Sequence, residues 1–151
     1  ALEDEVPEVR KASLESMAKI GEQDNDHKLQ DLVSRLKDED KEVRLTAVNI
    51  LGEIPYSKEA KTCLLESLRD PDDWVIVRSL DSLVKNQYFT DVDKVIELLD
   101  KSTQLVRIKS IETLGALGGS KAFQKLLELL NDQNPDIQNA AEEALSRISR
   151  E

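Results

Sequence analysis

The chain has 151 residues, 34% charged and 39% hydrophobic but only 3% aromatic, with a formal net charge of −10. That apolar content suits one domain with a sizeable core and is too high for disorder. The acidity argues against nucleic acid or an anionic membrane surface as the main ligand, no apolar run reaches the ~20 residues of a membrane helix, and the single cysteine, Cys63, excludes an intrachain disulfide.

A lone thiol and the lack of a signal pattern fit a reducing, cytoplasmic setting. The first element is a helix over about 6–21. Val9, Ser13, Met17 and Ile20 stand at offsets 0, +4, +8 and +11 and form one apolar face with a small residue at +4. Pro7 sits at the first helical position, where proline is tolerated. We call this type the anchor helix, after the apolar residue at offset 0.

A turn follows, with Asp24, Asn25, Asp26 and the only histidine, His27. It lacks the spacing, glycine and terminal glutamate of a calcium loop, so it reads as a helix-capping turn. Next comes a helix of a second type, the leucine helix, with Leu29, Leu32, Val33 and Leu36. A second anchor helix then carries Val43, Ala47, Leu51 and Ile54 behind the N-cap Asp40. Together they make a pair over about 26–54.

The next pair, about 57–87, poses a register question. Its leucine helix holds Leu64, Leu65 and Leu68, with Cys63 on a flank that has no histidine or cation to activate a thiol. Its anchor helix lies in "DDWVIVRSLDSL", where Val77-Arg78 imitates the Val-Arg of Val9-Arg10 and Val43-Arg44. Anchoring on Val77 would turn Asp81 and Lys85 into the core, a costly burial. Anchoring on Val75 brings in Ser79 and Leu83 instead and makes Asp72 the N-cap. The third pair, about 89–117, has Val92, Val95, Ile96 and Leu99, then Val106, Ser110, Leu114 and Leu117 behind Thr103. The fourth, about 119–149, has Phe123, Leu126, Leu127 and Leu130, then Ile137, Ala141, Leu145 and Ile148 behind Asn134 and Pro135.

The anchors Val9, Val43, Val75, Val106 and Ile137 recur every 31 to 34 residues. A helix pair of that length buries its apolar faces only by stacking on neighbours. No segment alternates with period two. The expectation is an all-α, right-handed α-solenoid of antiparallel helix pairs, about nine helices in a single domain over 1–151, with an orphan helix at 6–21. That helix lacks its leucine partner; a longer array, or end-to-end self-association through 6–21, would cover it. The chain opens on Ala1 rather than Met, as a processed fragment would.

The stretches "LKDEDKEVRLTAVNILGEI", "LRDPDDWVIVRSLDSL" and "LLNDQNPDIQNAAEEALSRI" resemble HEAT repeats, an armadillo-like fold. The short period and the Leu-Gly ends resemble the compact prokaryotic type, the phycobilisome-lyase-like HEAT repeats. The resemblance implies a structural ladder between neighbouring repeats, with Asp38, Asp70 and Asp132 as acids and Arg10, Arg44 and Arg107 as bases. Asp100 fits it only with a loop one residue longer. Ile76 and Gln138 depart from the pattern, so the ladder should break at the third and fifth anchor helices.

The resemblance also implies that the anchor helices line the concave face. At about 100° per residue, the side opposite the core holds offsets +2, +6 and +9, flanked by −1, +3 and +10. There Leu45, Trp74, Val77, Leu105 and Ile108 replace the polar residues of other repeats, with Arg78, Asp81 and Glu112 alongside. An apolar strip rimmed by charge is a partner site by composition. The expected function is therefore a non-catalytic scaffold that binds a protein or peptide offering apolar and basic side chains. Catalytic residues, a metal site and a cofactor are not expected: no phosphate loop, dinucleotide fingerprint or nucleophile motif is present. The alternatives are an accessory subunit of a bilin lyase-type enzyme system, which the resemblance implies, or a segment of a longer array.

Overall fold

A computed structural model describes residues 6–19, 25–54, 57–87 and 91–148. The described residues form nine α-helices and one 3-10 turn, with no strand. The chain divides into two compact units, 1–88 and 89–151.

In the first unit, α1 (Pro7–Lys19), α3 (Lys41–Glu53) and α5 (Asp73–Lys85) are the anchor helices. The leucine helices are α2 (Asn25–Arg35) and α4 (Lys58–Glu66), the latter running into a 3-10 turn at Ser67–Arg69. α3 packs between α1 and α5, while α2 lies on α3 and α4 on α5. The second unit repeats the plan with leucine helices α6 (Val92–Lys101) and α8 (Gly119–Leu129) and anchor helices α7 (Gln104–Leu117) and α9 (Pro135–Ile148). Here α7 packs on α9, α6 on α7 and α8 on α9. No described helix is long and apolar enough to cross a membrane.

The register follows from the burial. Val43, Val75, Val106 and Ile137 are buried, as are Ala47, Ser79, Ser110 and Ala141 at +4. Ser79 and Ser110 stay satisfied in the core because each hydroxyl donates to the carbonyl four residues back, Val75 and Val106, at 2.8 Å. Leu83 is fully buried and Lys85 exposed, so Val75 is the third anchor. Val9 is exposed instead, and among the described residues no leucine helix precedes α1.

Neighbouring anchor helices approach through their smallest residues. A Cβ on Gly52 (+9 of α3) would stand 2.4 Å from the Ser82 hydroxyl at +7 of α5, and a Cβ on Gly115 (+9 of α7) 2.8 Å from the Ala144 Cβ at +7 of α9. Asn86 locks the first of these contacts, its Nδ2 donating to the Gly52 carbonyl at 2.8 Å. Between α7 and α8 the only linking residue is Gly118, at φ 66°, a backbone state that favours glycine.

Candidate interaction face and its cleft

The turn before three of the four later anchor helices, α3, α5 and α9, is built from an acid two residues ahead of the N-cap. Asp38 accepts the Asp40 N–H at 3.0 Å, Asp70 the Asp72 N–H at 2.9 Å, and Asp132 the Asn134 N–H at 2.9 Å. The N-caps themselves accept from the first turn of the helix: Asp40 from Glu42 and Val43, Asp72 from Trp74, and Asn134 from Asp136. Thr103 makes no such side-chain bond, and the residue two before it is Lys101 rather than an acid.

Each of these acids also receives an arginine from the preceding anchor helix. Arg10 grips Asp38 with Nε and Nη2 at 2.9 and 2.8 Å, and Arg44 grips Asp70 with the same two nitrogens at 2.8 and 3.1 Å. Arg107 reaches Asp132 with Nη2 at 2.7 Å and spends its Nε on the Leu99 carbonyl. At the third anchor helix Ile76 takes the arginine's place and is buried, and Asp100 is exposed. At the fifth, Gln138 keeps half of the arginine's work: its Nε2 donates to the Asp132 carbonyl at 2.6 Å, as Arg44 Nη1 does to the Asp38 carbonyl at 2.9 Å. Burial pushes the Asp38 carboxyl up, but donors from Arg10, Asp40 and Arg35 outweigh it and hold the group below the usual carboxylate range. The Asn134 N–H and Arg107 do the same for Asp132.

The open face of the anchor helices is rotated from the expected one by about 60°. On α5 the side chains facing out are Trp74, Arg78, Asp81 and Lys85, at offsets −1, +3, +6 and +10. Trp74 is 52% exposed, whereas Val77 is 6% exposed and belongs to the core. The expectation that Val77 lies on the open strip is therefore corrected. The buried arc of α5 is wider than the offsets 0, +4 and +8: Ile76 and Val77, at +1 and +2, are buried as well. Leu45 and Ile108, also at +2, are half-buried. On the open face of the first unit, Arg78 pairs with Asp81 at 3.8 Å, while Lys85 reaches across to Glu53 on α3.

In the second unit Leu105 is 38% exposed at −1 of α7. Ile108 and Glu112 from α7 join Asp136, Asn139, Ala140, Glu143, Ala144 and Arg147 from α9 in lining a cleft of about 260 Å³. The residues expected on the open face thus fall into two groups. Leu45, Trp74, Arg78 and Asp81 stand on α3 and α5, and Leu105, Ile108 and Glu112 on α7, where the last two meet α9. Sequence reasoning left out the α9 half of the cleft. The signal lay in the same offsets, since Asp136, Ala140, Glu143 and Arg147 are the −1, +3, +6 and +10 residues of the fifth anchor helix.

Two other candidates have quieter roles. His27 lies exposed in the first turn of α2; Asp24 and the side chains of Asn25 and Asp26 fall outside the described residues. Burial pushes the Cys63 thiol up, the wrong direction for a reactive thiolate. No group of three His, Cys, Asp or Glu side chains among the described residues is arranged to hold a metal ion.

A family profile described as HEAT repeats matches residues 1–84 and 77–146. No curated protein matches the chain. Among solved structures, the complex of CpcE and CpcF of phycocyanin lyase from a Nostoc species is similar at 21% identity with a TM-score of 0.73, covering 99% of this chain and 63% of that one. The chain therefore spans less than two thirds of that protein's length. A designed armadillo repeat protein in complex with the peptide (KR)4 is similar at 21% identity and a TM-score of 0.62, covering 97% of this chain and 78% of that one. Armadillo repeat proteins computationally designed for modular peptide recognition are similar at 20% identity and a TM-score of 0.63, with the same coverages, 97% and 78%. At these identities the likeness is one of fold.

Proposed function

The chain belongs to the HEAT-repeat family, and from that premise we propose that it is a non-catalytic module that binds a protein or peptide on the open face of its anchor helices. The observation that carries this reading is Trp74. The only tryptophan of the chain stands 52% exposed in the middle of a charged strip, at an offset where α1 and α3 carry Glu8 and Glu42. An exposed indole beside Arg78 has the make-up of an interface hot spot. Leu105, at the same offset of α7, gives the second unit an exposed apolar residue of its own. The peptide-binding armadillo designs of similar fold lend support.

Val77 is no part of this surface; the residues proposed for binding are Leu45, Trp74, Arg78 and Asp81 in the first unit and Leu105, Ile108 and Glu112 in the second. Peptide display on the wild-type chain tests the reading. Enriched peptides should lose affinity for Trp74→Ala and Leu105→Asp and keep it for Phe123→Ser, on the leucine helix α8. Peptides bound equally by all four proteins would overturn the assignment.

A second reading draws on the fold likeness to the phycocyanin lyase complex: an accessory subunit of a bilin lyase-type enzyme system. A saturable absorbance change on titration with a bilin would favour it over the binding module.

A further inference from the structure

We propose that the cleft between α7 and α9 takes a lysine or arginine side chain from a basic segment of the protein partner. This deepens the binding reading above and rests on it. The cleft's volume of about 260 Å³ falls just below the ~300 Å³ at which drug-sized pockets begin, which suits one long side chain. Its lining is two-toned. Ile108, Ala140 and Ala144 supply apolar surface for an aliphatic stem, and Glu112, Asp136 and Glu143 supply carboxylates for a cationic head.

These acids do not converge as metal ligands do, since no described trio of such side chains is placed to hold a metal ion. They are spread along a cleft, which matches an extended organic cation better than a point charge. Two are already held by a neighbouring side chain. Gln104 Nε2 donates to Asp136 Oδ2 at 2.7 Å, and Lys109 Nζ lies 3.3 Å from Glu112 Oε2. Each of these carboxylates keeps an oxygen for a further donor. The Glu143 carboxylate has no hydrogen-bond or ion-pair partner among the described residues. One cation, Arg147, shares the lining one turn beyond Glu143. It competes with the incoming charge, so its removal should act opposite to removal of an acid.

The test uses labelled alanine-based peptides carrying a central lysine, arginine, norleucine or acetyl-lysine, titrated at low salt by fluorescence anisotropy. Norleucine keeps the stem and drops the charge. The lysine and arginine peptides should bind more tightly than the other two. Glu143→Gln and Glu112→Gln should each weaken them roughly two- to fivefold, and Arg147→Ala should tighten them by a similar factor. Glu142→Gln, the neighbouring exposed acid outside the lining, measures the effect of net charge alone and should change little.

Equal affinity for lysine and norleucine, or equal effects of Glu142→Gln and Glu143→Gln, overturns the proposal while leaving the open-face reading in place. If the wild type binds none of these peptides and display enriches no face-dependent peptide, the underlying reading fails as well.

Discussion

Arg10 and Asp38 meet as a two-pronged fork on a carboxylate, with bonds of 2.9 and 2.8 Å and side chains only 6% and 2% exposed. The two residues are 28 positions apart, so the bond ties α1 to the turn that starts α3. The same Asp38 caps the Asp40 N–H. One carboxylate thus closes a local turn and a contact between repeats together.

Removing one member of such a pair strands a buried charge. Asp38→Ala should cost about 3–5 kcal/mol. Asp70→Ala should cost less and Asp132→Ala least, because their pairs are progressively more exposed, at 11% and 7%, then 25% and 20%. Urea unfolding of the three variants checks the order. The double variant Arg10→Leu with Asp38→Leu should recover much of the loss, as the buried Ile76 occupies the arginine position of α5 without a charge. Equal costs at all three sites would mean that the ladder contributes through the turn alone.

The acid limb of stability should follow the same carboxylates. Asp38 and Asp132 sit below their ordinary range when folded, so the unfolded chain takes up protons first as pH falls. Their contribution is fully present at neutral pH and drains away from about pH 4 downward, through the folded-state values. In Asp38→Asn the slope of unfolding free energy against pH in that window should be visibly shallower. An unchanged slope would assign acid sensitivity to other groups.

The close approaches of the anchor helices make a signed pair of predictions. Alanine gains about 1 kcal/mol over glycine in a helix interior, while overpacking costs about 1–3 kcal/mol. At Gly115 the added Cβ meets the Ala144 Cβ at 2.8 Å and its backbone Cα at 3.0 Å, so Gly115→Ala should lower the thermal midpoint. At Gly52 the nearest atom is the Ser82 hydroxyl, which can turn aside, so Gly52→Ala should cost less. Ala144→Gly should reduce the penalty of Gly115→Ala, a coupling that a double-mutant cycle measures.

Trp74 and Val77 should separate in stability as well as in burial. Trp74→Ala is expected to change unfolding free energy by less than about 1 kcal/mol. Val77→Asp, which sets a charge among apolar side chains, should cost on the order of 3 kcal/mol or more. Circular dichroism melts of the two variants check this, and comparable losses would contradict the rotated face.

Much of this was legible because the apolar period carries it. Val75 was separable from Val77 by asking which register buries a charge, and Ser79 and Leu83 are where that reasoning puts them. The open face was read less well. Angular position on an isolated helix takes no account of how wide the buried arc becomes once a helix is packed on two sides. Val77, at +2 of α5 and 6% exposed, falls within that wider arc. The α9 half of the cleft went unread for a different reason. Asp136 and Glu143 look like ordinary solvated acids until Ile108 of α7 is set beside them. The bond from Gln138 to the Asp132 carbonyl was hidden because a missing arginine was read as a missing contact rather than as half of one.

The chain's one tryptophan gives the proposed binding face its own optical reporter. Titrating a display-selected peptide while recording indole emission tests the central claim most directly. A saturable blue shift, tracking the affinity measured independently, is the predicted result. Saturable binding with no change in Trp74 emission would place the partner elsewhere and contradict the account.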